Sequence, residues 1–156
     1  MVTLTMKDGG VIKLELYPDK APKTVANFEK LVKEGFYNGL TFHRIISGFM
    51  IQGGDPLGNG MGGSEENIPG EFAANGFENP IRHERGVISM ARAQNPNSAS
   101  SQFFIMHADG FFLDGNYAAF GKVVEGLDVV DRIAAVETNF MDAPLQPQVI
   151  DTITID

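Results

Sequence analysis

Residues 2–17 read VTLTMKDGGVIKLELY, and their pattern of apolar residues indicates the fold class. On both sides of Asp8-Gly9-Gly10 the apolar residues recur at every second position, which is the period of a strand with one buried face. Period two on either side of a glycine turn predicts a β-hairpin. The first part of the chain is therefore predicted to be antiparallel β structure.

Six further apolar runs have the length of short strands. They cover residues 40–46, 49–52, 87–91, 102–106, 118–124 and 149–155. Helical spacing of apolar residues predicts only two helices, at about 22–34 and 127–135. Two helices cannot cover the edges of so many strands, whereas a closed barrel has no edges. We therefore expect a mainly β fold, a closed eight-stranded antiparallel β-barrel capped by two α-helices.

The chain has 156 residues, the usual size of one domain, and neither an internal repeat nor a linker divides it. A single domain over 1–156 is predicted. The stretch 53–86 looks like a loop but is too long for one in a compact domain. We therefore expect short strands within it, near Glu71-Phe72 and Ile81-Arg82.

The composition excludes several classes of function. The chain has no cysteine, which rules out disulfides, thiol nucleophiles and thiolate metal sites and fits a reducing, cytoplasmic compartment. A net charge of −8 argues against sequence-independent nucleic-acid binding. The charge is uneven, at +2 over residues 1–50 and −10 over residues 51–156. We predict a monomer with no nucleic-acid partner, no membrane partner and no secretory signal.

One glycine-rich motif matches the pattern of a dinucleotide-binding site. Gly58-Asn59-Gly60-Met61-Gly62-Gly63 matches G-x-G-x-x-G, but that site requires a helix opening at its end. Pro69 and Gly70 would stop such a helix within two turns. A glycine-rich surface loop is the preferred interpretation, and a nucleotide-binding enzyme is a weak alternative.

The local sequence gives little support for a metal site or for a catalytic nucleophile. His43, His83 and His107 lie too far apart in sequence for a helical zinc pair, so structural histidines with satisfied hydrogen bonds are preferred and no metal is predicted. No G-x-S-x-G elbow occurs. A Ser/His/Asp triad would have to assemble through space, and nothing in the local sequence favours it.

Arg44 is a charged residue inside a strongly apolar strand. Met50 and Gln52 share one face of the next strand, and Gln102 and Phe104 share one face of another. Each pair offers an amide beside a large soft or aromatic side chain, which is the composition of a small-ligand or peptide site. Packing in the core is the equally weighted alternative for Met50 and Phe104. For Arg44 taken alone, packing of its stem over the barrel surface is the preferred interpretation, and its neighbours shift the balance toward a site.

Residues 42–55, FHRIISGFMIQGGD, closely resemble the signature of the cyclophilin-type peptidyl-prolyl cis–trans isomerases. Three later blocks resemble that family in the same order: Ser89-Met90-Ala91, residues 101–105, and residues 113–115 followed by 120–123. The resemblance runs from the first hairpin to the last strand. It implies the same eight-stranded barrel with two helices that the strand count predicts. It also implies an isomerase of X-Pro bonds that needs no cofactor.

Matching positions imply the roles of individual residues. Arg44 is implied to be the catalytic residue, with Gln52 and Gln102 contacting the substrate backbone or supporting Arg44. The proline pocket is implied to consist of four apolar residues, Phe49, Met50, Phe104 and Leu113. Ala91 and Arg92 would border the groove for the residues before proline, and Phe112 and Tyr117 would complete its rim.

Three positions depart from the eukaryotic pattern of the family. Phe112 stands where those members have Trp, so an indole N–H donor is missing and only weak cyclosporin binding is expected. Tyr117 stands where they have His, as in compact bacterial members, and Arg92 replaces an Asn. The predicted partners are proline-containing peptides and unfolded or folding proteins. A non-catalytic proline-peptide binding module or chaperone is the alternative function.

Overall fold

The computed structural model describes residues 1–156 and contains eight strands, two α-helices and two short 3₁₀ helices. The strands are β1 (Val2–Met6), β2 (Val11–Leu16), β3 (Phe42–Ile46), β4 (Met50–Gly53), β5 (Val87–Met90), β6 (Phe103–Met106), β7 (Ala119–Glu125) and β8 (Ile150–Ile155). The helices are α1 (Pro22–Lys33) and α2 (Leu127–Ala134), and the 3₁₀ helices are Ala73–Asn75 and Phe111–Leu113. The predicted number of strands and helices is confirmed.

All strand pairs are antiparallel, in the order β3-β4-β6-β5-β7-β2-β1-β8. The sheet curls, but its outer strands β3 and β8 do not form a continuous ladder. A bridge between Thr41 and Val149 joins the two edges, supported by Ile150 N donating to Leu40 O at 2.8 Å. The prediction of eight antiparallel strands is therefore correct. The barrel is closed only by this short contact beside the edge strands, and not by a continuous ladder.

The opening hairpin forms as its sequence pattern predicts. Val2, Leu4 and Met6 are buried on β1, and the turn closes where Gly9 has φ 97°, a conformation that favours glycine. The main core contains 29 buried residues, and both helices contribute to it. No helix is long and apolar enough to cross a membrane.

Helix α1 has an N-terminal cap from a distant residue. Its own N-cap residue, Ala21, provides no side-chain hydrogen bond, and Pro22 occupies the first turn. Instead the buried carboxylate of Glu71 accepts hydrogen bonds from Thr24 N at 2.6 Å and Thr24 Oγ1 at 2.7 Å. The first bond satisfies a backbone donor that a helix start leaves unpaired, and the helix dipole favours the negative charge of Glu71 there.

The prediction of strands near Glu71-Phe72 and Ile81-Arg82 is wrong. The stretch that follows β4 contains the 3₁₀ helix Ala73–Asn75 and one isolated bridge, Ile68 to Ala99, but no strand before β5. Side chains, rather than a neighbouring strand, form hydrogen bonds with this backbone. For example, Asn79 Nδ2 donates to the carbonyls of Glu71 and Ala119, both at 2.9 Å. A long segment is thus ordered without regular structure.

The sheet divides its side chains between two faces. On β6, Phe103 and Ile105 point into the main core, whereas Phe104 and Met106 belong to a second cluster of six buried residues. The alternation of a strand sends neighbouring residues to opposite faces, so this second cluster lies on the outer face of the barrel. Met50 of β4 belongs to it as well. The candidate site is built on that outer face.

Candidate active site

A cavity of about 140 Å³ opens above the outer cluster, and we call it the apolar cavity. Its wall consists of Arg44, Phe49, Met50, Gln52, Ala91, Arg92, Phe104, Leu113 and Tyr117. These nine are all among the eleven site residues expected from the sequence, and six of them are hydrophobic. The folded chain therefore brings most of the expected site together.

The ladder places the site residues in one row across four strands. Arg44 on β3 is opposite Gln52 on β4, Gln52 is opposite Phe104 on β6, and Phe104 is opposite Ser89 on β5. Arg44 reaches this row because the register shifts between Phe42 and Arg44. A bulge of this kind re-aims the side chain that follows it.

The floor of the apolar cavity is buried, and its rim is open. Met50, Phe104 and Leu113 are exposed by only 2%, 5% and 8%, whereas Arg44 at the rim is exposed. The rings of Phe104 and Tyr117 meet edge to face with centroids 5.8 Å apart. A small apolar ring can thus be enclosed by buried side chains, with the Arg44 guanidinium at the mouth of the cavity.

A chain of side-chain hydrogen bonds orients Arg44. Arg44 Nη1 donates to Gln52 Oε1 at 3.3 Å, and Gln52 Nε2 donates to Gln102 Oε1 at 2.8 Å. Gln102 Nε2 in turn donates to the carbonyls of Gly60 and Gly62, at 3.0 and 2.8 Å. Because each amide is fixed by its neighbour, the acceptor that faces Arg44 is fixed too.

Gln102 does not line the apolar cavity. It lies in a second, adjoining cavity of about 340 Å³, which is more polar. Sequence reasoning missed most of the wall of this polar cavity: Gly60, Met61, Gly62, Gly63, Ser64, Asn67, Ala93, Ser98 and Ser100. The available signal is the glycine-rich motif at 58–63, for which the sequence predicts only a surface loop. The loop assignment is confirmed, and the loop also forms one wall of this cavity.

Asp55 anchors that loop. Its buried carboxylate accepts hydrogen bonds from Leu57 N at 2.8 Å, Asn59 N at 3.1 Å and Gly60 N at 2.6 Å. Burial alone would raise the pKa of Asp55, but these backbone amides, with that of Gly62, outweigh it and lower the pKa. The carboxylate therefore stays ionised and holds in place the carbonyls that accept from Gln102.

Arg92 lines both cavities, and its guanidinium forms several hydrogen bonds with nearby backbone carbonyls. Its guanidinium donates to Asn116 O from Nε at 3.1 Å and from Nη2 at 2.8 Å, and to the carbonyls of Ala93 and Gln94 from Nη1. It also lies 4.9 Å from the ring centroid of Tyr117. Arg92 therefore acts as a fixed wall rather than as a free cation.

Phe112 lies outside the apolar cavity, although it was expected at the rim. Its ring is 72% exposed and packs against Phe49, with centroids 5.5 Å apart. It follows Phe111 in a 3₁₀ turn, where only Leu113 points inward. Phe112 therefore extends the apolar surface beyond Phe49 and presents no polar atom to a ligand.

A Ser/His/Asp triad does assemble through space beneath the cavity. His83 Nε2 lies 2.9 Å from Ser89 Oγ, and His83 Nδ1 lies 2.9 Å from Asp114 Oδ1. His83 and Ser89 are fully buried, and burial lowers the pKa of His83 despite Asp114. The imidazole stacks on Phe104 at 6.0 Å. Because no substrate can reach Ser89, the triad supports the pocket floor and is no nucleophile.

The remaining histidines differ from each other. His107 has partners for both ring nitrogens, as expected, but His43 does not. His43 is 9% exposed, and neither ring nitrogen has a hydrogen-bond partner in the chain. The expectation of satisfied histidines is therefore wrong for His43, which occupies the bulged position of β3 where the strand ladder skips a residue. The chain contains no group of three or more potential metal ligands.

Comparisons with known proteins place this geometry in a family. The family model for cyclophilin type peptidyl-prolyl cis-trans isomerases matches residues 1–155. A probable peptidyl-prolyl cis-trans isomerase of Brucella suis is 53% identical over 144 residues, covering 85% of this chain and 70% of that protein. Peptidyl-prolyl cis-trans isomerase B of Bacillus subtilis is 51% identical over 129 residues, covering 83% of this chain and 87% of the relative.

A solved structure agrees with the sequence relatives. The crystal structure of a Cryptosporidium parvum cyclophilin type isomerase, determined in the presence of the dipeptide Ala-Pro, superimposes with a TM-score of 0.91 at 32% identity. The match covers 99% of this chain and 98% of that one. The chain belongs to the cyclophilin-type peptidyl-prolyl cis–trans isomerase family, and it has the cyclophilin fold.

Proposed function

We propose that the chain is a single isomerase domain that catalyses rotation about X-Pro peptide bonds in peptides and folding proteins, with Arg44 as its catalytic residue. The observation that carries the proposal is the position of Arg44 at the mouth of a buried apolar cavity. The cavity volume of about 140 Å³ suits a side chain the size of a proline ring. The family membership supports the same activity.

The reaction needs no proton transfer, nucleophile or metal. The barrier to rotation about a peptide bond is about 18–20 kcal/mol because resonance gives the C–N bond partial double-bond character. In the twisted transition state this resonance is lost, and the proline nitrogen regains a basic lone pair. A donor fixed beside that nitrogen binds the twisted amide better than the planar one, and this difference in binding lowers the barrier.

Arg44 suits the role of that donor. Its guanidinium is planar and permanently protonated. Only Nη1 is engaged, through the hydrogen bond to Gln52, so other N–H groups remain available to a substrate. We propose that Met50, Phe104 and Leu113 hold the proline ring while the preceding carbonyl swings past Arg44.

Arg44 supplies only part of the required stabilisation. A rate gain of about 10⁵ corresponds to about 7 kcal/mol, whereas one charge-assisted hydrogen bond contributes about 1.5–3 kcal/mol. The remainder is assigned to exclusion of water by the apolar walls and to clamping of the substrate backbone by Gln52 and Gln102. Exclusion of water also strengthens the hydrogen bond from Arg44 because it lowers the local dielectric.

Exchange NMR on an Ala-Pro peptide with catalytic amounts of the protein tests the activity. The cis and trans signals are expected to broaden, because uncatalysed exchange takes tens to hundreds of seconds. Absent broadening together with measurable peptide binding would favour the binding module. That alternative has less support, since binding alone does not need an arginine at the cavity mouth.

The Arg44→Ala variant tests the catalytic assignment. Loss of one charge-assisted hydrogen bond is expected to lower kcat/KM about 10- to 150-fold. Arg132→Ala is the matched control, because Arg132 of α2 pairs with Asp8, away from the site. Unchanged turnover of a folded Arg44→Ala variant would overturn the assignment.

Four further points stay predictions: the location, the oligomeric state, chaperone-like binding and cyclosporin binding. Cytoplasmic location rests on the cysteine-free composition. A monomeric state is predicted for a domain of this size, and ultracentrifugation tests it. Chaperone-like binding of unfolded chains and weak binding of cyclosporin are proposed from the open, apolar rim around Phe49 and Phe112, which offers no indole donor.

A further inference from the structure

The turn between β3 and β4 carries one wall of the apolar cavity and is held from one side by His107. Gly48 N donates to His107 Nδ1 at 2.8 Å. On the next residue, Phe49 O accepts from His107 N at 2.9 Å. Gly48 has φ 79°, which favours glycine and lets the turn present its amide to the imidazole. Side chain and backbone of one residue thus clamp the segment that places Phe49.

The hydrogen bond from Gly48 fixes the state of the imidazole. Nδ1 can accept a hydrogen bond only if it carries no proton, so the ring must be neutral with its proton on Nε2. Nε2 lies 3.1 Å from Asp131 Oδ1, where that proton has an acceptor. The geometry therefore selects one of the three protonation states of His107.

Arg85 completes the cluster. It binds Asp131 with two hydrogen bonds, Nη1 to Oδ1 at 2.6 Å and Nη2 to Oδ2 at 3.0 Å. This contact is the main reason that the pKa of Asp131 is lowered, so the carboxylate that faces His107 is ionised. Arg85 Nη1 also donates to His107 O at 3.0 Å. Asp131 of α2 and Arg85 before β5 are the charged groups that contact His107.

We propose that His107 is a positioning residue of the active site. Its neutral Nδ1 holds the turn that carries Phe49, and protonation of the ring therefore changes the shape of the apolar cavity. Protonation places an N–H of His107 against the N–H of Gly48, and the hydrogen bond is lost. The turn then loosens, and with it Phe49. The effect on catalysis rests on the proposed isomerase function, whereas the effect on the turn does not.

Two variants of His107 separate its ring nitrogens. In His107→Asn, the side-chain Oδ1 lies where Nδ1 was and still accepts from Gly48. In His107→Gln, the longer amide reaches Asp131 but offers no acceptor at the Nδ1 position. Loss of one hydrogen bond is expected to raise KM for a proline peptide about two- to tenfold in the Gln variant, with a smaller change in kcat. His107→Asn is expected to restore most of this loss.

A pH series provides the second readout. The amide signals of Gly48 and Phe49 in ¹⁵N NMR spectra are expected to shift together as the pH is lowered, with KM rising over the same range. In His107→Asn this transition should be absent. The comparison within one series isolates His107 from His43 and His83, which both variants retain.

Asp131→Asn tests the charge that faces the ring. Because Asp131 accepts the proton on Nε2, whereas an Asn amide can donate to Nε2, the variant is expected to weaken the tautomer that Gly48 requires and to shift the Gly48 amide signal at neutral pH. Asp128→Asn is the matched control: it removes the same charge from α2, at an exposed residue that makes no contact with His107.

Equal KM values for the Asn and Gln variants would overturn the proposal. A pH transition of the Gly48 amide that persists in both variants would also overturn it, as would a Gly48 amide that does not respond to pH in the wild type. A wild-type protein without isomerase activity would refute the proposed function instead. In that case the Gly48 and Phe49 signals and the peptide affinity still decide whether His107 controls the turn. Native amide spectra of each variant establish that it is folded.

Discussion

Gln52 and Gln102 meet head to head between the two cavities, with Gln52 Nε2 donating to Gln102 Oε1 at 2.8 Å. Gln102 has no freedom to reverse its amide, because its Nε2 donates to two loop carbonyls. Its acceptor must therefore face Gln52, and the acceptor of Gln52 must face Arg44. The orientation of the proposed catalytic arginine is thus set by a loop outside the apolar cavity.

Replacement of Gln102 by Glu is expected to disrupt this order. A carboxylate cannot donate to the carbonyls of Gly60 and Gly62, which lie 3.0 and 2.8 Å from the present donor. Loss of these bonds, with the repulsion that replaces them, should lower kcat/KM about tenfold or more. Gln146→Glu makes the same charge change in an exposed loop and should have no effect. Peptide isomerisation assays would compare the two variants. Equal activity would contradict the conclusion that the hydrogen bonds from Gln102 orient Arg44.

Replacement of Asp55 by Asn should loosen the loop that binds Gln102. One amide oxygen cannot serve all the backbone donors that now meet the carboxylate, so the free energy of unfolding should fall by about 1–3 kcal/mol at neutral pH. Hydrogen exchange at the Gly60 amide should become faster. Denaturant unfolding measures the first effect and NMR the second. Asp151→Asn, at an exposed position of β8, is the control.

The contribution of Asp55 also has a defined pH dependence. Its pKa in the folded chain lies below the ordinary value of 3.8, so the unfolded chain binds the proton first as the pH falls. The stabilisation is complete above that ordinary value and is lost as the pH falls through the lower, folded value. The difference between wild type and Asp55→Asn should shrink in this acidic range. A constant difference would contradict the assignment.

Replacement of His43 by Leu is expected to stabilise the fold. The imidazole is buried without a hydrogen-bond partner in the chain, and an unpaired buried polar group costs about 1–3 kcal/mol. Leu has a similar volume and no polar atom, so the free energy of unfolding should rise by about 1 kcal/mol at pH 7. Equilibrium unfolding in denaturant measures it. A less stable variant would indicate that the ring makes a polar contact in solution.

His43 also predicts how stability changes below neutral pH. Burial is the main reason that the pKa of His43 is lowered from 6.5, although Asp55 opposes the shift. Because the unfolded chain binds the proton first, the free energy of unfolding is expected to fall as the pH drops from 6.5 toward the lower pKa of the folded chain, whereas above 6.5 this loss is absent. His43→Leu should flatten this slope in part. His83, whose pKa is also lowered by burial, is expected to contribute to the same slope.

Replacement of Phe112 by Trp is expected to tighten the binding of cyclosporin. The ring of Phe112 is exposed beside Phe49, and an indole there would add the missing N–H donor. One added hydrogen bond corresponds to about a two- to tenfold gain in affinity. Phe111→Trp is the matched control, since Phe111 packs beneath Arg82 and outside the cavity wall. Calorimetric titration would measure both, and equal affinities would contradict the interpretation.

Much of the fold and of the apolar cavity could be predicted because both depend on strand periodicity. Residues two apart on one strand share a face, so the sequence alone places Met50 and Gln52 together. The bulge at His43 could not be predicted in this way. The bulge depends on the pairing of β3 with β4, and the sequence does not reveal the register of that pairing.

The remaining part of the site depends on contacts between distant residues. The loop from Asp55 to Gly62 is ordered by one carboxylate, and the segment around Asn79 by side-chain bonds to Ala119 and Glu71. Such bonds have no period and no fixed spacing, so the polar cavity could not be predicted. His107 was indistinguishable in sequence from any other isolated histidine for the same reason.

The buried Ser89–His83–Asp114 arrangement has a consequence for chemical labelling. It has the hydrogen-bond order of a serine hydrolase, but its hydroxyl is sealed beneath Phe104. A fluorophosphonate reagent, which reports serine hydrolases through covalent capture of an exposed hydroxyl, should leave the native protein unmodified. Geometric searches for hydrolase triads would select this chain, and only solvent access separates it from the enzymes that they seek.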